Sequence, residues 1–190
     1  MDTKQQAKLL RDFRALHRMT GALLFAFFFF IAVSGLFLGW KKHSGGTILP
    51  NTQRGSSAAL ADWLSADSLA RIAKAAVQPE LGAVAIDRMD ARPGKGVVKV
   101  RFKGHYTEVQ VDGATGAVLQ IAQRRSDWLE GLHDGSLLES WLGLKGGYFK
   151  VFYTTVMGSA LLIFTITGFW LWYGPKRLRR RRRQRPLHHR

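Results

Sequence analysis

The chain has 190 residues, a formal net charge of +16 and no cysteine. This length suits one compact unit, or a small domain with anchors, and excludes a multidomain enzyme. The lack of cysteine excludes a disulfide framework and thiolate metal ligands, so any metal or cofactor must use His, Met, carboxylate or backbone ligands.

The chain begins with a basic stretch, residues 1–18, followed by an uncharged apolar run at residues 19–40. At about 1.5 Å per residue, these 22 residues cover the roughly 30 Å hydrocarbon core of a bilayer, which predicts a transmembrane helix. A cleaved signal peptide is the less favoured alternative. The run is longer than a typical signal core, and it ends in bulky Leu36, Phe37 and Trp40 instead of a small-residue cleavage site.

Residues 41–64 are predicted to be a linker, because Gly, Pro, Asn, Thr and Ser dominate positions 45–57. Residues 65–122 are predicted to form a small domain. Its helix is expected at 67–77, with Ser65 or Asp67 as the N-cap and apolar residues at helical spacing.

Four antiparallel strands are predicted at residues 81–88, 96–103, 106–111 and 117–122. The strand at 96–103 alternates apolar and basic residues, which indicates a strand with one buried face. The alternating residues are Val98, Val100 and Phe102 against Lys99, Arg101 and Lys103. The predicted fold is therefore α+β, with the helix covering one face of a meander.

A connector at residues 123–150 leads to a second uncharged run at residues 151–173, which ends in an aromatic belt of Trp170, Trp172 and Tyr173. This run is again long enough to span, so the chain is predicted to cross a membrane twice. A polybasic tail at residues 174–190 follows.

The distribution of basic residues predicts the orientation of the two spans. Residues 1–18 carry five basic and two acidic residues, and residues 174–190 carry nine basic residues and no acid. The much longer stretch 41–150 has 15 basic and 11 acidic residues. Both termini are therefore expected in the cytoplasm, with the small domain outside it.

The polybasic tail has two interpretations, nucleic-acid binding and contact with anionic lipid. Basic residues directly after a membrane helix are attracted to anionic leaflets by about 1 kcal/mol each. No base-reading motif accompanies the tail, so we favour anionic lipids and the bilayer as partners and expect no nucleic acid.

Several sequence motifs resemble the PepSY-associated transmembrane helix family. VQVDGATGAVLQI is similar to the last hairpin of a PepSY domain, and ALHRMTGALL is similar to the family's entry into its first helix. GLHDGSL and LLIFTITGFWLWYGPKR are similar to the segment before the second helix and to that helix. The resemblance implies a multi-pass protein of a bacterial-type inner membrane, with two transmembrane helices flanking an extracytoplasmic PepSY-like domain. Within the hairpin, Asp112, Thr115 and Gly116 are expected to shape the turn.

The resemblance also suggests a cofactor, because larger four-helix members include ferrisiderophore reductases similar to haem-carrying electron carriers with axial histidines. It implies haem b, with His133, His43 and His17 as candidate iron ligands. A span of about 20 residues would separate His17 from His133 by about 30 Å, so these two cannot share an iron. His43 could approach His133, and His17 would need a ligand from another subunit.

Gly131 and Gly135 are expected to leave space for a porphyrin beside His133. The structural alternative is that His17 lies at the membrane interface beside basic residues and that His133 bonds a neighbouring backbone group.

Small residues on both apolar runs predict close helix contacts, either within a chain or in a homo- or hetero-oligomer. Gly35 and Gly39 form one such face, and Gly158, Ala160 and Gly168 form another.

Two functions remain open from the sequence. The first is an accessory protein of electron transfer or iron acquisition that binds haem. The second is a non-catalytic regulatory module that captures a peptide or protein at a sheet edge. The chain carries no hydrolase or phosphate-loop motif.

Overall fold

The computed structural model describes residues 3–183, so the last residues of the predicted tail, 184–190, lie outside the described part. The helices are α1 (Thr3–Trp40), α2 (Ala66–Leu81), α3 (Arg125–Asp134), α4 (Ser136–Trp141) and α5 (Tyr148–Arg183). The strands are β1 (Ile86–Arg92), β2 (Val97–Phe102), β3 (Thr107–Asp112) and β4 (Val118–Gln123). Two compact units result. The sheet unit is Ser34–Gly131, and the helix unit combines residues up to Val33 with residues from Leu132 onward.

The helix unit contains the two long apolar helices. Helix α1 has 38 residues and α5 has 36, and each continues beyond its apolar run into the basic flanks. By length and composition, Ala7–His43 and Tyr148–Arg177 are candidate membrane spans. Large apolar side chains on both helices remain exposed, as expected of surfaces that face lipid. They include Leu23, Phe25, Leu162 and Trp172.

The sheet unit has the predicted antiparallel meander, in the order β1-β2-β3-β4. Helix α2 begins at the N-cap Ser65, whose side chain accepts a hydrogen bond from the amide of Ser68. Its buried residues pack on one face of the sheet and form the core. The core residues are Leu69, Ala73 and Val77 from α2, and Val98, Val100, Phe102, Val109 and Val111 from β2 and β3.

The start of the sheet differs from the prediction. Helix α2 continues through Pro79 to Leu81, and Gly82 ends it with φ 68°. The bounds predicted for the first strand, 81–88, are therefore wrong, and β1 lies at Ile86–Arg92, which shares residues 86–88 with the prediction. The apolar residues that suggested a strand, Leu81 and Val84, pack instead against the core from the end of the helix and the connection after it.

The alternation predicted one buried face, and the structure buries the second face of the sheet as well. Lys99 on β2 and Glu108 and Gln110 on β3 are at most 5% exposed. Residues 47–57, called the strap below, run over this face. The side chain of Gln110 accepts from the amide of Gln53 (2.8 Å) and donates to the carbonyl oxygen of Asn51 (2.9 Å), as a neighbouring strand would.

The turn between β3 and β4 confirms the roles expected of its residues. Asp112 accepts hydrogen bonds from the amides of Ala114 (2.9 Å) and Thr115 (3.2 Å), and Gly116 has φ 76°. Asp112 also accepts from the amide and hydroxyl of Ser56 in the strap. Burial opposes ionisation, but these bonds outweigh it and hold the pKa of Asp112 below its ordinary value.

Candidate functional site

The two long helices pack antiparallel within the helix unit, and some of their glycines lie against side chains of the other helix. A Cβ atom at Gly21 would lie 2.9 Å from the ring of Phe164, and one at Gly168 would lie 3.3 Å from the ring of His17. By contrast, among the described residues nothing lies within 4 Å of a Cβ built at Gly39 or Gly158. Gly168 therefore packs against His17 within the chain, whereas Gly39 and Gly158 face open space.

His17 lies between the helices, in contact with α5. Its Nδ1 is 2.9 Å from the hydroxyl oxygen of Thr167, and its ring stacks on Phe164 at a centroid distance of 3.9 Å. The Thr167 hydroxyl donates to backbone carbonyl oxygens of its own helix, at Ile163 (2.8 Å) and Phe164 (3.0 Å). The hydroxyl oxygen therefore accepts from His17, which places the ring proton on Nδ1.

The contact with Thr167 shows how far His17 lies from the end of the apolar run of α5. Thr167 is 2% exposed and lies six residues before Tyr173, the end of the apolar run, which corresponds to about 9 Å along the helix. His17 therefore lies beside the apolar part of α5. Ionisable groups at such depth are costly and are commonly functional.

His133 lies in the last turn of α3, half-buried, with Nδ1 3.1 Å from the carbonyl oxygen of Ile31 on α1. A carbonyl oxygen only accepts, so this contact also places the proton on Nδ1 and leaves the lone pair of a neutral ring on Nε2. Ile31 follows His17 by fourteen residues on α1, so the two histidines are about 21 Å apart along the helix.

The space beside Gly135, two residues after His133, is filled by a side chain. Gly135 has φ 81°, and a Cβ there would meet the ring of Tyr153 at 2.6 Å. The expectation of open space beside Gly135 is therefore wrong, because the Tyr153 ring occupies it.

Acidic side chains fix the start of α5. Glu139 is 8% exposed and accepts from the amides of Gly147 (2.6 Å) and Lys150 (3.0 Å), which satisfies two free amides of the first turn. Asp134 pairs with the ammonium group of Lys150. Burial raises the pKa of Asp134, but the hydrogen bonds from Lys150 and Ser136 hold it below its ordinary value.

His43 lies in the sheet unit, exposed, in the 3-10 turn Lys41–His43 that follows α1. Its approach to His133 stays a prediction. Within residues 3–183, no group of three or more His, Asp or Glu side chains is placed to hold a metal ion.

Sequence reasoning did not identify Thr167, Glu139 or Tyr153 as parts of this site. A hydroxyl residue inside an apolar run was the one available signal for Thr167, since such side chains often bond across membrane helices. Glu139 and Tyr153 act on residues that only the folded chain brings near them.

Comparison with known proteins gives one match. The family described as PepSY-associated TM region matches residues 47–190, which covers the strap, the sheet, the connector and α5. The ALHRMTGALL motif on α1 lies outside the matched residues. No curated protein matches the chain, and no solved structure matches it. The match extends over well more than half of the chain, so this protein is a membrane protein that belongs to the PepSY-associated TM family.

Proposed function

We propose that this protein binds haem b through its histidines and transfers electrons across a bacterial-type inner membrane, in support of iron acquisition. The proposal rests on the hydrogen bonds made by the rings of His17 and His133. Each has its Nδ1 proton held by an oxygen acceptor, at two levels of the helix unit about 21 Å apart.

This donor chemistry fits haem iron. Histidine ligands commonly donate one ring N–H to a nearby oxygen, which fixes the tautomer and orients the other nitrogen toward the metal. The acceptors here are the Thr167 hydroxyl and the Ile31 carbonyl. Haem, when bound, supplies one-electron transfer, and histidine ligation needs no cysteine.

One chain does not complete the proposed path, because His17 and His133 are too far apart to share an iron. Two copies related by a two-fold axis along the membrane normal would bring two His17 residues to one level. On the other side, His133 would take His43 or a second His133 as its partner. The Gly35–Gly39 face, open at Gly39, is the proposed contact between copies.

The visible spectrum of the protein tests this function. Purified wild type should show a Soret band and, on reduction, the α and β bands of low-spin haem. His133→Ala should lose the exported-side site, and His43→Ala should do the same if that pair is intramolecular. His17→Ala should leave the exported site intact.

His105→Ala is the matched control, because His105 is exposed in the β2–β3 connection. A colourless wild-type protein, purified from haem-supplemented cells, would contradict the proposal. Full haem content in the His133 variant would contradict this ligand assignment, and loss in the His17 variant alone would place the site at the cytoplasmic level.

The orientation belongs to the same proposal, with both termini cytoplasmic, the sheet unit outside and the polybasic tail on anionic lipid. A reporter inserted at Gly94, in the exposed β1–β2 turn, should be active only outside the cytoplasm, and one fused after residue 190 only inside. A cytoplasmic signal at Gly94 would overturn it.

A second candidate function is a regulatory module that binds a peptide strand. Strand β4 is at the edge of the sheet and exposes Val118 (42%) and Ile121 (46%). Exposed apolar side chains on an edge strand suit strand addition. A colourless protein that protects the β4 amides from hydrogen exchange when a peptide is added would favour this function.

A further inference from the structure

The sheet unit carries an open cleft between the strap and the edge strand β1, with a volume of about 760 Å³. The cleft is strongly basic, and Asp90 is the one acid among its lining residues. The cations that line it are Lys42, Arg88, Arg92, Lys95, Lys99 and Arg124. Such an excess of positive charge in a concave surface concentrates anions.

Two of the cations that line the cleft, Lys99 and Arg124, belong to a buried charge network. Glu108, whose side chain is 1% exposed, pairs with Lys99 (3.1 Å) and with Arg124. Asp127 pairs with Arg124 (3.1 Å) and with Arg101. Three cations therefore share two carboxylates, which leaves the network with one uncompensated positive charge in a poorly hydrated place.

Two of these cations retain donors for a ligand. Among the described residues, Glu108 is the one acceptor for the ammonium group of Lys99, which has three N–H donors. Arg124 donates through Nε and Nη1 to Asp127 and Glu108. Its Nη2 group makes no further hydrogen bond within the described residues.

The rim of the cleft adds three exposed cations to Lys99 and Arg124. Arg88 and Arg92 lie on β1 and Lys95 follows in the turn, and all three are exposed. Arginine suits bidentate contacts with phosphate and carboxylate oxygens. Asp90 lies 4.0 Å from Arg92 and opposite Lys99 in the register, so it offsets only part of the charge.

We infer that this cleft binds a multivalent oxyanion of the phosphate or polycarboxylate class, either soluble or as a lipid headgroup. Lys99 and Arg124 form the fixed inner contacts, and Arg88, Arg92 and Lys95 close on the ligand from the rim. Lys42, which lines the cleft, follows Trp40, the end of α1, by two residues in the sequence. A lipid phosphate and a soluble anion both present this oxyanion chemistry.

The test uses the full-length protein in detergent, with inorganic pyrophosphate as the probe in isothermal titration calorimetry. Wild type should bind saturably and more weakly as salt rises. The rim variant Arg88→Gln/Arg92→Gln/Lys95→Gln should bind roughly tenfold more weakly, since three exposed charge contacts are lost. These side chains are exposed, so the variant should fold normally, as a thermal melt would show.

The matched control removes three exposed cations outside the cleft and should bind pyrophosphate as wild type does. Its substitutions are Arg71→Gln, Lys74→Gln and Lys103→Gln. Equal loss in both triple variants would overturn the cleft as the site, because net charge alone would then explain the binding.

Nanodiscs identify the source of the anion. If phosphatidylglycerol in the disc blocks pyrophosphate binding to wild type, the natural occupant is a lipid headgroup. If binding persists in that disc, the occupant is a soluble anion. Absence of saturable pyrophosphate binding in detergent, together with no effect of phosphatidylglycerol on thermal stability, would overturn the inference. Neither result depends on haem, so this inference and the proposed function fail separately.

Discussion

Replacement of Glu108 by glutamine should destabilise the sheet unit strongly. The side chain of Glu108 is 1% exposed and neutralises Lys99, whose own side chain is 7% exposed. Glu108→Gln keeps the shape and the hydrogen bond with Gln110 but removes the negative charge. Arg124 keeps Asp127, whereas Lys99 keeps no carboxylate.

The expected loss of stability follows from the burial of Glu108 and Lys99. Removal of one partner of a buried ion pair costs about 3–5 kcal/mol, because the remaining charge stays out of water. A neutral acceptor remains for Lys99, so we expect the lower end of that range, about 3 kcal/mol. For a unit of this size, that loss should lower Tm by more than about 10 °C.

The assay is thermal and chemical unfolding in detergent, followed through tryptophan fluorescence, to which Trp63, packed against the core, contributes. Glu130→Gln is the matched control. It breaks an ion pair with Lys41 whose side chains are 45% and 32% exposed, and it should cost no more than about 1 kcal/mol. Equal losses in the two variants would refute the reasoning. A further variant, Lys99→Met combined with Glu108→Gln, should recover part of the stability, since it removes the stranded charge.

Three further predictions follow from the described residues. The pKa of Asp112 is lowered in the folded protein, so the ionised Asp112 side chain stabilises the fold. This contribution is complete above the unfolded pKa of about 4 and is lost as the pH falls through the folded pKa. Asp112→Asn should therefore flatten the fall in Tm between about pH 5 and pH 2. A steeper fall in that variant would contradict the assignment. Gly55→Ala should cost about 2 kcal/mol in urea unfolding, because its Cβ would clash with a backbone carbonyl, whereas Gly94→Ala, which faces open space, should be close to neutral. Gly39→Leu should weaken association in detergent without a change in helix content, since, beyond the adjoining helix backbone, no atom of residues 3–183 lies within 4 Å of a Cβ built at Gly39. Unchanged oligomer size would show that this face meets lipid.

Local patterns in the sequence were sufficient for most of the secondary structure. The two apolar runs, the α2 periodicity and the alternation of β2 depend on contacts between near neighbours, so their residue types predict their elements. The turn at Asp112 follows the same principle, since its side chain bonds amides two and three residues further on. The boundary between α2 and β1 was mispredicted, because Leu81 and Val84 suit a buried helix end as well as a strand.

The candidate site depended on contacts that no local pattern contains. His17 meets Thr167 across 150 residues, and His133 meets Ile31 across 102. The sequence identified both histidines through the family motifs, but their hydrogen-bond partners and their depth follow from the packing of two helices.

The polar face of the sheet shows the same division. Alternation in β2 correctly separated its two faces, and a charged face ordinarily meets water. The strap covers that face, and Glu108 and Gln110 satisfy the groups that are buried beneath it. Residue types by themselves determined which side chains share a face. Tertiary structure decided whether that face is wet, because burial depends on what the rest of the chain places over it.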